Sequence, residues 1–218
     1  MAEDAEKDDP LETFTAILIA LVTVVGAIVA WRASVSADGA GDADFAGLKA
    51  TLNVEETRAL NAVNGYENYG AFLTYSRYSR LGDMLEADLP QAADEAEAAR
   101  LESDRADAHD LATANESLFP TKFRNRDGTY DLQRQLGEMW ADAARQKDLN
   151  PDPQFEEADK LRAKTNWFLA DIALLALGLV FYTLVEAVPD KLKYVLVGLG
   201  TVVLIAGTAA AFYIEYWL

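Results

Sequence analysis

A chain of 218 residues that is 51% hydrophobic and 25% charged, with a net charge of -17, has room for one compact domain and several long apolar segments. The acidic balance excludes nucleic acid as a partner, because binding phosphates needs a basic patch. The absence of cysteine excludes disulfides, thiolate nucleophiles and cysteine metal sites.

Residues 1–10 form an acidic tail, and residues 11–31, Leu11 to Trp31, carry no charge after Glu12. About 20 apolar residues at ~1.5 Å each cross ~30 Å of hydrocarbon, so this block is expected to be a first transmembrane helix. Its acidic flank and its length distinguish it from a cleaved signal peptide. Residues 32–44 are rich in Ala, Ser, Gly and Asp and read as a flexible linker leaving the membrane.

Residues 45–165 read as an acidic, helical soluble domain. Asp44 is placed to cap a helix from Phe45 towards Leu85, in which Tyr66, Tyr69, Phe72, Tyr75 and Tyr78 recur every three residues. Strict three-residue spacing drifts round a helix of 3.6 residues per turn, so this aromatic stripe wraps instead of forming one seam. It is expected to be a packing surface, with a platform for a partner as the alternative. Pro90 ends the stretch. Gln91 to Phe119 then reads as a solvated helix with a thin apolar face, and Tyr130 to Leu149 as a third, amphipathic helix. Asn150-Pro151 breaks it, and Asp152 with Pro153 starts a fourth.

No breaker separates that fourth helix from the second apolar block, residues 166–188, so one rod is expected to run from Gln154 to Val188. Pro189 stops it in a turn over residues 189–191, where Asp190 can cap a third span over residues 192–218. With three spans, Trp31, Trp167 and Trp217 all fall at the boundary facing the soluble domain, where indole rings prefer to sit. Near the membrane that face carries Arg32, Lys160, Arg162 and Lys164, against Lys7, Lys191 and Lys193 on the other. The slight bias leans towards a cytoplasmic domain on a multi-pass protein of the cell membrane.

Asp171 lies about one turn inside the second span and Glu215 a similar distance from the end of the third, while Arg32 ends the first. Carboxylates in hydrocarbon face a partner or a water-filled cavity, so Arg32, Asp171 and Glu215 are expected to form an interfacial charge cluster. Small residues, Gly26 with Ala30, Gly207 with Ala211, and Ala173, Ala176 and Gly178, mark where spans can approach closely. Asn125, Asp127, Gly128 and Asp131 match part of a calcium loop, but Arg134 stands where a bidentate Glu is needed, so an Asp-Gly turn is expected. His109, the only histidine, stands beside Asp107 and Asp110 on a polar helix and reads as a surface residue. No phosphate-binding loop, nucleophile elbow, metal set or cofactor motif is present in the sequence.

One N-terminal span, an acidic helical region and two closely spaced C-terminal spans, with the segment NGYENYGAFLTYSRYSR from Asn64 to Arg80, resemble an uncharacterised bacterial family of membrane proteins. The resemblance implies a bacterial membrane location and no known activity.

The sequence therefore predicts an all-α membrane protein, with three transmembrane helices and a helical-hairpin or bundle domain inserted between the first and second. Its expected function is that of a non-catalytic scaffold or accessory subunit, in contact with the lipid bilayer and with copies of itself or other membrane-protein subunits. A membrane sensor and an oligomeric ion- or proton-handling protein are the alternatives.

Overall fold

The computed structural model describes residues 10–217, apart from the side chain of Asp190. The acidic tail expected at the N-terminus, up to residue 9, and the capping role of Asp190 lie outside what is described. Among the described residues there are five α-helices: α1 (Pro10–Asp88), α2 (Glu95–Glu116), α3 (Leu132–Ala144), α4 (Asp152–Leu184) and α5 (Asp190–Trp217). No strand occurs among them, only an isolated antiparallel bridge between Arg124 and Tyr130. The chain divides into two compact units, Ala50–Asn150 and a second made of Met1–Lys49 with Pro151–Leu218.

The split unit is built from the first half of α1 together with α4 and α5, and each of these helices contains a segment long and apolar enough to cross a membrane. On α1 the buried positions are Thr15, Leu18, Val22, Val29, Ala33, Ser36, Ala40 and Gly47. They recur at intervals of three, four or seven, the repeat that keeps one seam turned towards a neighbouring helix. Leu161 stands against Gly39 and Phe155 against Gly47, so α1 and α4 run antiparallel. Between α4 and α5, Val203 meets Gly178, Tyr182 meets Gly200 and Leu175 meets Gly207. At the last two, an added Cβ would lie 2.7 Å from Tyr182 Cε1 and 2.6 Å from Leu175 Cδ2. These glycines let large side chains lie against bare backbone, which is how helices gain packing where lipid gives no hydrophobic drive to associate. The outer faces carry Ile17, Leu21, Val24 and Ile28 on α1 and Val195, Val202 and Ile205 on α5, all exposed and all apolar.

Several expected boundaries move. Residues 32–44 are not a flexible linker, because α1 continues through them unbroken. Their small side chains mark close packing: Ala33, Ser36 and Ala40 are buried, and Leu161 Cδ1 would lie 3.3 Å from a Cβ at Gly39. A glycine inside a helix costs about 1 kcal/mol against alanine; this contact offsets that at Gly39, whereas a Cβ at Gly41 would meet nothing within 4 Å. Asp44 is no cap; it pairs with Arg162 across to α4. The compact unit Ala50–Asn150 covers a narrower range than residues 45–165. At the other end of α4, Asp152 is the first helical residue and Pro151 takes the cap position without a side-chain hydrogen bond. The α-helical part of α4 stops at Leu184, and a 3-10 turn over Val185–Ala187 precedes Pro189.

The Ala50–Asn150 unit packs the second half of α1 against α2 and α3. Leu132 and Leu136 of α3 fill the space at Gly65, and the ring of His109 on α2 lies against Gly82. His109 is thus a half-buried packing residue, not the surface residue its polar neighbours suggest. Asp94 caps α2 by accepting from Glu97 N at 2.8 Å, and Glu97 Oε2 accepts from Ala93 N at 2.7 Å. This reciprocal box satisfies helix-end donors that would otherwise lack partners. Asp131 caps α3 through Arg134 N at 2.9 Å. Both helices are shorter than the sequence suggests, since Pro90 sits in a 3-10 turn over Leu89–Gln91 and residues 117–131 form an ordered connection instead of extra turns.

Candidate functional site

The first candidate is the charge cluster of the split unit. Arg32 and Glu215 form a two-pronged ion pair, with Arg32 Nε donating to Glu215 Oε2 at 3.0 Å. Lys164, absent from the sequence-based cluster, donates to the Glu215 backbone carbonyl at 2.9 Å and lies 3.5 Å from Oε2. Its place could have been read from the helical period, since Lys164 precedes Asp171 by two turns on the same face of α4. Two cations from α1 and α4 thus converge on one carboxylate from α5.

Asp171 stands apart from this group. It is only 4% exposed, and neither carboxylate oxygen has a hydrogen-bond partner among the described residues. It lies against α5 at Gly207, where an added Cβ would stand 3.2 Å from Oδ1. An ionised carboxylate in such a place is costly unless paired, so the residue is a local weak point of the bundle.

The second candidate is the aromatic stripe of the Ala50–Asn150 unit, which the structure divides. Phe72 is buried with Phe119, Phe123 and Tyr130, and Tyr69 and Tyr75 pack against that cluster. Phe72 stacks on Tyr130 at 5.1 Å between centroids and meets Phe119 edge to face at 5.7 Å. Tyr66 is 74% exposed on the opposite side of α1. Tyr78 turns towards α2, lining a shallow hollow with Ala108 and Leu111. The drift of a three-residue repeat round the helix accounts for this division. Phe119, Phe123 and Tyr130, which complete the cluster, come from the connection between α2 and α3, where no periodicity signals them.

Hydrogen bonds fix the polar edge of the cluster. Tyr130 Oη donates to the buried Gln135 Oε1 at 2.9 Å, and burial pushes the Tyr130 phenol above its ordinary pKa. Arg124 donates to Tyr75 Oη at 2.8 Å and to Glu116 at 3.1 Å. The Asp-Gly turn forms as expected: Asp127 Oδ1 accepts from the Thr129 amide at 3.0 Å and its hydroxyl at 2.7 Å, which lowers the Asp127 pKa. Gly128 has φ +83°, a conformation that side chains disfavour. Among the described residues no cluster of His, Cys, Asp and Glu could hold a metal ion.

No known protein family matches this chain, and no curated protein or solved structure is similar enough to match it.

Proposed function

We propose that the protein is a membrane-spanning, non-catalytic assembly module, a scaffold or accessory subunit that joins copies of itself or a larger membrane complex. The observation that carries this reading is the two-sided character of α1 within the soluble unit. Its inward face buries Ala50, Thr57, Gly65 and Phe72. Leu52, Leu60, Val63 and Tyr66 lie on the opposite face and are all more than half exposed. At 100° per residue these four fall within about a third of the helix circumference. Glu56 and Glu67 share that arc, and a helix that exposes several large apolar side chains opposite its core side has area there to offer a partner. Three apolar helices with lipid-compatible outer faces support anchorage of that partner surface in a bilayer.

The test is the mass of the full chain purified from its membrane in mild detergent. A particle heavier than one chain, or one carrying a second protein, is expected. Leu60→Lys with Val63→Lys is expected to dissociate it without loss of helix content. A strictly monomeric particle with no co-purifying protein would sink the proposal.

A signalling role has its own support in α4, which runs without interruption from Asp152, outside the apolar segment, to Leu184 within it. Interrupting this helix with Ala163→Gly should alter a partner's activity under that reading, and an unchanged partner would remove it.

A further inference from the structure

The soluble unit contains an open hollow of about 640 Å³ beside the aromatic cluster. Buried Phe72 and Tyr130 and half-buried Tyr69 line it, together with the exposed apolar side chains of Leu81 and Met84. Arg77 and Arg80, one turn apart on α1, line it as well. Among the described residues neither arginine makes an ion pair or a side-chain hydrogen bond, and the same holds for Arg126, on the turn whose Gly128, Thr129 and Tyr130 form the facing wall.

This pattern is selective. The other arginines of the unit, Arg58, Arg100, Arg105, Arg124, Arg134 and Arg145, all have a carboxylate within ion-pair distance. So do Lys122 and Lys147. A chain of net charge -17 has acids to spare, yet among the described residues the two cations on the wall of this aromatic hollow, and Arg126 on the adjoining turn, are left without them. The nearby Asp127 carboxylate is occupied by Thr129. Like charges three residues apart on a helix repel, and an anion seated between them removes the repulsion. Guanidinium groups also present a fork that matches two oxygens of a carboxylate or phosphate.

We propose that this hollow is a binding site for an organic anion with a flat apolar body, its carboxylate or phosphate held by Arg77 and Arg80 and its body laid against Tyr69, Phe72 and Tyr130. The aromatic lining supplies area and stacking, and the arginines supply orientation and selection against neutral molecules. The ligand is small compared with a protein partner, and the site lies beyond the Leu52 to Tyr66 surface assigned to assembly, so neither proposal depends on the other.

The test uses the full chain in non-ionic detergent, titrated with phenyl phosphate, phenylacetate, benzyl alcohol and inorganic phosphate, with binding followed by ligand-observed NMR. At least one of the two aryl anions should saturate, and which of them does so identifies the oxyanion. Benzyl alcohol and inorganic phosphate, each lacking half of the recognition, should bind at least tenfold more weakly. Arg77→Gln with Arg80→Gln, both at exposed positions, should weaken the aryl anion at least tenfold while circular dichroism is unchanged. Failure of both aryl anions to saturate, equal binding of benzyl alcohol, or undiminished binding by the double variant would each overturn the proposal.

Discussion

Arg32 Nε donates to Glu215 Oε2 at 3.0 Å, tying α1 to the last turn of α5 near the end of the apolar segments. Because Lys164 also leans on Glu215, removing the carboxylate leaves two cations without an acid. Glu215→Gln is expected to destabilise the detergent-solubilised protein by about 1 to 3 kcal/mol, as for a part-buried charged hydrogen bond. Arg32→Gln should cost less, since Lys164 still compensates Glu215. Thermal unfolding of the two variants checks the order, and an equal or reversed order contradicts it.

Asp171 is expected to behave in the opposite way. Arg32 has Glu215 as its counterpart, so among the described residues Asp171→Leu deletes no ion pair and removes a buried carboxylate that lacks a hydrogen bond. Replacing such a group with an apolar one is neutral or stabilising. Asp171→Leu should therefore insert, keep its native-gel size and melt no lower than the parent. A loss of assembly would show that the carboxylate serves a partner in the complex.

Two glycines of α5 offer a controlled comparison. A Cβ at Gly200 would lie 2.7 Å from the ring of Tyr182, which is fully buried, whereas a Cβ at Gly198 meets nothing within 4 Å. Gly200→Ala should cost about 1 to 3 kcal/mol through overpacking. Gly198→Ala should be neutral or gain up to about 1 kcal/mol from helix propensity. Melting curves of the two proteins decide it.

Tyr130 predicts an alkaline limit for the Ala50–Asn150 unit. Burial raises its phenol above the ordinary value of 10.0, so folding favours the protonated form. The contribution is complete below about pH 10 and is lost as pH rises through the folded-state pKa. Tyr130→Phe should remove this alkaline loss. At neutral pH it should lower stability by about 1 to 3 kcal/mol, because it strips the buried Gln135 Oε1 of its donor. Chemical unfolding at pH 7 and pH 10.5, followed by circular dichroism, measures both effects.

The three apolar helices were legible because their lengths and lack of charge are written in consecutive residues. The stretch from Ala33 to Asp44 was not, since Ala, Ser and Gly have the same composition whether they make a flexible connection or a tight seam. Only the opposing Leu161 and Arg162, more than a hundred residues later, tell the two apart. The aromatic stripe was legible as a wrapping surface, but Phe119, Phe123 and Tyr130 were not, because they come from a connection without a repeat. Arg77 and Arg80 lay in plain view within the Asn64 to Arg80 segment. Their significance depends on which cations elsewhere have found acids, and that is a property of the fold.

The seam of α1 from Thr15 to Gly47 passes from a stretch apolar enough to cross a membrane to one that exposes charges, without a change of spacing. Its first half is built for hydrocarbon, where water expulsion contributes nothing and fit between surfaces must hold the helices. Its second half exposes Ser34, Asp38, Asp42 and Lys49 together with Val35, Phe45 and Leu48, and where water reaches such a mixed side the burial of even small side chains is driven by water. One zipper is therefore fastened by two different forces. Strong detergents should loosen the hydrocarbon teeth first, while cooling, which weakens the hydrophobic effect, should act on the teeth that stand in water.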